Sequence, residues 1–290
     1  MLSTPHAIST RSAYVDAPNR AMDVAGRTLA YRSIGSGTPL VLGTRFRGNM
    51  DKWDPAFIDA LASSGFRVIT FDYSGLGLST GRATYNPIEM AADFRDLIVG
   101  LSLKDVVIVG WSLGGLAAQS ALALYPTDVT HLVLIGSGPP GKLVKTAEPL
   151  FYEIAAKEIN DEDDNVILFF EPASAASRAA SSLSLQRMAM RTNGLSAEIP
   201  IDFARAALGA EPKNPIFPAD PILEALKQTT VPILHVGGDH DISFPIENWY
   251  ALSPQLKTLQ LVTFPQTGHG PQHQHPQMAA DAIASFVRNT

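Results

Sequence analysis

The sequence predicts a doubly wound α/β fold with a mostly parallel sheet and an inserted helical cap. Three observations carry that expectation. Short runs rich in Val, Ile and Leu alternate with longer helical patterns. Several of these runs are apolar almost throughout, as strands covered on both faces are. One stretch, from about Lys142 to about Lys227, breaks the alternation with helical patterns and no convincing strand.

In chain order, strands are expected over Thr28 to Ile34, Leu40 to Leu42, Arg67 to Phe71, Val106 to Val109, Leu132 to Ile135, Ile233 to Val236 and Leu259 to Phe264. Gly or Pro brackets most of them, as in Gly35-Ser36-Gly37, Gly136-Ser137-Gly138 and Gly237-Gly238. Amphipathic helices are expected over Pro55 to Ser64, Ile88 to Leu101 and Pro276 to Arg288. Strand–helix alternation implies right-handed crossovers. The interrupting stretch offers helices over Ala147 to Ile159, Ala173 to Met190 and Ala197 to Leu208. The acidic run Asp161 to Asp164 suits a helix start. Residues 1–141 and 228–290 are therefore expected to form the core, with 142–227 as a cap over the C-terminal edge of the sheet. Its apolar residues Phe151, Tyr152, Phe169, Phe170, Leu183, Met188 and Phe203 read mostly as packing, with a minority available to line a pocket.

Composition narrows the function. Of 290 residues, 46% are hydrophobic and 17% charged, enough for a sizeable core. A net charge of −6 and the lack of a basic stripe argue against nucleic acid as partner. Cysteine is absent, which excludes disulfides, thiolate catalysis and cysteine-ligated metals. The apolar runs are too short to span a bilayer, and Met1 to Ala7 has no apolar signal core. The expectation is a cytoplasmic protein acting on a small molecule, away from membranes, with its oligomeric state open.

The chemistry centres on Gly110-Trp111-Ser112-Leu113-Gly114. The apolar run 106–109 precedes it and a small, apolar run follows. This reads as strand, sharp turn and helix, with Ser112 at the apex. A serine hydroxyl is a poor nucleophile until a base, an oxyanion site and a fixed exposed position activate it. An acid-bearing turn, Gly238-Asp239-His240-Asp241, follows one late strand, and Gly268-His269-Gly270 follows the last. Serine, acid and histidine occur in that order.

With these motifs the chain resembles the α/β-hydrolases, in their esterase, lactonase and perhydrolase branch, from about Ala25 to Phe286. Asp72-Tyr73-Ser74-Gly75-Leu76-Gly77-Leu78-Ser79 resembles the family's Asp-x-x-Gly-x-Gly-x-Ser loop. Gly238-x-x-Asp241-x-x-x-Pro245 resembles its acid turn, and Thr267-Gly268-His269-Gly270 its histidine loop. The resemblance implies Ser112 as nucleophile, His269 as base and Asp241 as acid. Asp239 is the alternative acid or a turn cap. It also implies two oxyanion N–H donors, Leu113 and, after the strand 40–42, Phe46. There the sequence departs from the family, which carries His-Gly-x where this chain has Thr44-Arg45-Phe46. Arg45 and Arg47 then have two readings, recognition of a substrate anion or an outward-pointing surface loop. Trp111 likewise either walls the acyl pocket with Arg45 or packs under the turn.

Competing motifs are weaker. Gly75-Leu76-Gly77 lacks the third glycine of a dinucleotide loop, since position 80 is Thr80. His240, His269, His273, His275, Asp239 and Asp241 match no zinc spacing, and His273 and His275 read as helix-start or rim residues. No metal and no cofactor are expected. The leading reading is a cofactor-independent serine hydrolase that cleaves an ester or lactone of a small to medium, largely apolar substrate through an acyl-enzyme. The same triad would serve C–C bond hydrolysis, perhydrolysis or acyl transfer, and the fold would also serve a non-catalytic receptor. Position 112 lacks the aspartate nucleophile of epoxide hydrolases and dehalogenases.

Overall fold

Alternate residues of one strand show how the molecule is layered. In β5 (Val106–Trp111), Val106 and Ile108 join a core with Phe94, Leu97, Ala117 and Ala118. Val107, Val109 and Trp111 join a second core with Phe57, Ile58, Ile283 and Phe286. Successive side chains point to opposite faces of a strand, so each face of the sheet has its own helical layer.

A computed structural model describes residues 12–217 and 219–290. Met1 to Ala7, read above as lacking a signal core, lie outside them. The other strands are β1 (Arg20–Val24), β2 (Arg27–Gly35), β3 (Thr38–Gly43), β4 (Phe66–Phe71), β6 (Val129–Ile135), β7 (Ile233–Gly238) and β8 (Leu259–Phe264). They form one eight-stranded sheet in the order β1-β2-β4-β3-β5-β6-β7-β8. β1 and β2 pair antiparallel, as do β2 and β4, and every other pairing is parallel.

Helices α1 (Pro55–Ser63), α2 (Pro87–Gly100) and α3 (Leu113–Leu124) follow β3, β4 and β5. Asp54 caps α1 and Asn86 caps α2, each accepting from a backbone N–H of the first turn. Between β6 and β7 come α4 (Pro149–Ala155), α5 (Glu162–Phe169), α6 (Ala175–Ala189), α7 (Ile201–Leu208) and α8 (Asp220–Gln228), with no strand among the described residues. Asp161 and Asp164 form a capping box at the start of α5. α8 lies on the sheet layer, its Leu226 in the same core as α3. Short α9 (Glu247–Leu252) and α10 (Pro271–Gln274) precede and follow β8, and α11 (Pro276–Asn289) closes the chain against α1.

Two expectations need correction. β1 was not foreseen; it is a short edge strand with mostly exposed residues, so it carries no apolar signal. The inner face of α6 is not apolar either: Ser177, Ser181 and Ser184 are buried, whereas Leu183 is 53% exposed.

Register brings the sheet's C-terminal ends to one edge. Gly43 stands opposite Gly110, Trp111 opposite Ile135, and Gly238 opposite Phe264. The loop at 44–48, Ser112, the turn at 239–246 and the loop at 265–270 all leave from that edge, where ligands bind in open α/β sheets.

Candidate active site

Ser112 sits between β5 and α3 with φ 59° and ψ −122°, a strained conformation for a residue with a Cβ. Hydrogen bonds hold it there. Its N–H donates to the Ile135 carbonyl at 2.9 Å, and the Ser137 hydroxyl donates to its carbonyl at 2.8 Å. The turn is also crowded. A Cβ at Gly110 would strike the Gly114 backbone, and one at Gly114 would strike the carbonyls of Gly43 and Thr44. The elbow's glycines thus let strand, helix and the loop after β3 close on one another.

Of the two acids on the turn after β7, only Asp241 reaches the histidine. His269 Nδ1 donates to Asp241 Oδ2 at 2.8 Å, and both side chains are 2% exposed. A carboxylate can only accept, so Nδ1 carries the proton and Nε2 is left as acceptor. Asp241 Oδ1 accepts the backbone N–H groups of Ser243 and Phe244 at 2.8 and 2.9 Å. Asp239 is 37% exposed, accepts from Thr267 N at 3.2 Å and lies 3.0 Å from His240.

Ser112 and His269 open onto one cavity of 1120 Å³, bordered also by Arg45, Phe46, Phe169 and Met188. From the helical segment, Phe151, Phe169 and Met188 line it, and Phe170 is buried below. The Phe169 carbonyl accepts the Gly270 N–H at 2.8 Å, so the end of α5 is stitched to the histidine loop.

Phe46 borders this cavity, and Leu113 directly follows Ser112. The Leu113 N–H is the first of α3, where helix donors lack intrahelical acceptors. Neither it nor the Phe46 N–H has an acceptor among the described residues. The loop carrying Phe46 is fixed by Arg47, whose N–H donates to Tyr85 Oη at 2.9 Å.

The arginines do not point outward. Arg47 donates to the carbonyls of Ala155, Lys157 and Glu158 at the end of α4 and just after it, at 3.0, 2.6 and 2.9 Å. Arg45 folds over Phe169 and Trp111, 4.5 and 5.3 Å from their ring centroids, and borders the cavity. Trp111, paired with Arg45 as substrate-binding on sequence grounds, stands elsewhere. It is 1% exposed, outside the main cavity's lining, and donates from Nε1 to the His269 carbonyl at 2.9 Å. It supports the histidine loop from below. His273 is no rim residue. It is buried, with Nδ1 2.8 Å from Ser184 Oγ, and burial pulls its pKa down to about 4. Among the described residues no three His, Asp or Glu side chains converge as metal ligands.

Sequence reading missed Ser137, whose only signal was a small polar residue between two glycines after β6. It missed Tyr85, whose contact with Arg47 spans 38 residues. It also left the Asp72 loop without a task. Asp72 accepts from Met50 N at 2.7 Å, Leu78 N at 2.9 Å and Ser196 Oγ at 2.7 Å. Burial raises its pKa, against these donors. The motif ties its own loop to the turn after β3 and to the segment before α7.

The sequence profile described as alpha/beta hydrolase fold matches residues 39–276. The chain belongs to that family. It is an enzyme of the hydrolase type. It is 25% identical over 267 residues to a pimeloyl-[acyl-carrier protein] methyl ester esterase of Pseudoalteromonas atlantica, covering 91% of this chain and 98% of that one. An alpha/beta hydrolase fold protein from Chitinophaga pinensis superposes with a TM-score of 0.81 at 26% identity, covering 96% of this chain and 99% of that one. The esterase EaEST from Exiguobacterium antarcticum shares the fold, with a TM-score of 0.73 at 20% identity over 94% of this chain and all of that one. Among the described residues no helix is long and apolar enough to cross a membrane.

Proposed function

We propose that this α/β-hydrolase cleaves an ester or lactone through an acyl-enzyme on Ser112, without a cofactor. The observation that carries this is the shared opening of Ser112 and the Asp241-bound His269 onto one cavity. His269 Nε2 takes the Ser112 proton as Oγ attacks the carbonyl. Asp241 holds the tautomer and stabilises the imidazolium. The N–H groups of Leu113 and Phe46 receive the oxyanion, each worth roughly 10²–10³ in rate. His269 then protonates the leaving alcohol and activates the water that releases the acid. A relative named as a methyl ester esterase fits ester cleavage, while others named as non-heme haloperoxidases keep perhydrolysis as the second reading.

Helices α4 to α7 act as the cap in this reading, supplying Phe151, Phe169 and Met188 as apolar wall. At 1120 Å³ the cavity has room for a substrate of small to medium size.

A fluorophosphonate probe tests the nucleophile. Ser112 attacks phosphorus and fluoride leaves, so intact-mass and peptide analysis should show one phosphonyl group, on Ser112. Ser112→Ala should abolish labelling and His269→Ala should slow it severely. Labelling at another residue, or none in folded protein, overturns the proposal.

A further inference from the structure

The loop after β3 holds a charge that ester hydrolysis does not use. Several other arginines drawn into the protein have acids to meet. Arg27 pairs with Asp93 at 2.7 Å and Asp96 at 2.6 Å, Arg32 with Asp51 at 2.6 Å, and Arg187 with Asp54 at 2.5 Å. Arg47 is satisfied by backbone carbonyls at the end of α4 and just after it. Arg45 has neither kind of partner set. Its Nη1 donates to the Phe46 carbonyl at 2.7 Å, and its Nε is buried with no acceptor. Among the described residues no carboxylate pairs with it.

Arg45 is half-buried, and a cation partly withdrawn from water is stabilised when an opposite charge meets it. Stacking over aromatic faces returns only about 0.5–2 kcal/mol. Burial lowers the pKa of Arg45 to about 10, so it stays charged at neutral pH. The acids on the same cavity are committed or outside. Asp51 is held by Arg32, and Glu198 by Lys52 at 2.7 Å. Glu158, Asp161 and Glu162 are exposed.

The cavity's shape says where a counter-charge enters. Arg45 also borders a second void of 20 Å³, with Trp111, Phe169 and His273. That volume is on the scale of one water and too small for a carboxylate. An anion must therefore reach Arg45 from the main cavity, the side that holds Ser112 and His269. The distance to the reacting centre is short. Phe169 touches both the Arg45 guanidinium and, stacked at 6.0 Å between centroids, the His269 ring.

We propose that the substrate is an anionic ester or lactone whose carboxylate is bound by Arg45 while its carbonyl lies at Ser112. Phe169 neighbours both groups, so a short acyl chain joins the carboxylate to the carbonyl. A singly charged carboxylate matches the single charge of one guanidinium, whereas a phosphate dianion would bring two charges to one. The placement of the carbonyl rests on the serine-hydrolase reading; the anion site rests on Arg45 alone.

A titration without turnover separates these. Ser112→Ala protein is titrated calorimetrically at pH 7 with monomethyl glutarate, an anion, and with dimethyl glutarate, its neutral counterpart. The anion should bind at least about tenfold more tightly, the low end for a charged hydrogen bond. Adding Arg45→Met should erase that ratio while dimethyl glutarate still binds, and Arg45→Lys should keep part of it. In the wild type, kcat/KM for p-nitrophenyl hydrogen glutarate should exceed that for p-nitrophenyl methyl glutarate, and Arg45→Met should level the two. Equal binding of the two glutarates with Arg45 present, or a ratio unchanged by Arg45→Met, overturns the carboxylate site. Absence of fluorophosphonate labelling overturns the hydrolase reading instead, and the titration still decides the anion site.

Discussion

Asp239 and Asp241 stand on one turn, and only Asp241 touches His269. Its Oδ2 meets the ring while Oδ1 takes two backbone N–H groups, so the carboxylate cannot swing away without losing both. Asp241→Asn should keep the shape but offer an amide to Nδ1, favouring the wrong tautomer, and lower kcat by about 10⁴. Asp239→Asn removes only an exposed turn contact and should change kcat less than about threefold, consistent with the small worth of exposed charge pairs. Kinetics on a p-nitrophenyl ester compare the two; equal losses would reject Asp241 as the orienting acid. The residues that the structure brings together here were legible because turn, base and acid each sit in a short motif after a strand. Ser137, Tyr85 and the fold of Arg45 were not, because each works through a contact made only when distant segments pack. Arg45 illustrates the limit. Sequence shows a charge near the site, but only the rings of Trp111 and Phe169 show that it turns inward.

Among the elements, buried strands announced themselves and edge or polar-faced ones did not. β3, β5 and β7 are apolar because helices cover both faces, whereas β1 lies at the sheet edge with little burial. α6 was found as a helix, yet its buried face is serine, which no hydrophobic period reveals. Its hydroxyls find specific acceptors: Ser177 donates to Gln274 Oε1 at 2.6 Å and Ser184 pairs with His273 at 2.8 Å. Arg187, near its end, grips Asp54 with Nε and Nη2. Asp54 is fully buried and also caps α1, so this pair joins the helical segment to the sheet layer. Arg187→Met should leave that carboxylate buried with only its capping bonds. We expect a loss of about 3 kcal/mol, the low end for a broken buried pair because Arg187 keeps 27% exposure. Urea unfolding measures it; a loss below about 0.5 kcal/mol would show the pair to be no stronger than a surface contact.

Over the whole molecule, two buried histidines tie stability to pH. His235 donates from Nε2 to the Ser137 carbonyl at 3.1 Å, beneath the elbow, and His273 sits between α6 and Trp111. Burial lowers both pKa values to about 4, from 6.5 in the unfolded chain. A depressed histidine pKa means the unfolded state takes up protons first as pH falls. Their contribution is therefore complete above pH 6.5 and lost as pH drops through 4. Each pKa unit is worth about 1.4 kcal/mol, so each histidine withdraws roughly 3 kcal/mol across that window. Asp72 acts in the opposite sense, since its raised pKa favours the folded state in acid, while the half-buried His131 and His275, also lowered by burial, add to the effect of the two rings. The melting temperature should thus fall steeply between pH 6.5 and 4. His235→Gln keeps a donor for Ser137, and His273→Asn keeps a polar group near Ser184, yet neither replacement titrates. The double variant should start less stable and show a shallower fall over the same window. A fall as steep as wild type's would move the acid sensitivity from these two rings to the carboxylates. The link also joins stability to the site, because His235 and His273 flank the Ser137 brace and the Trp111 platform on which the elbow and the histidine loop rest.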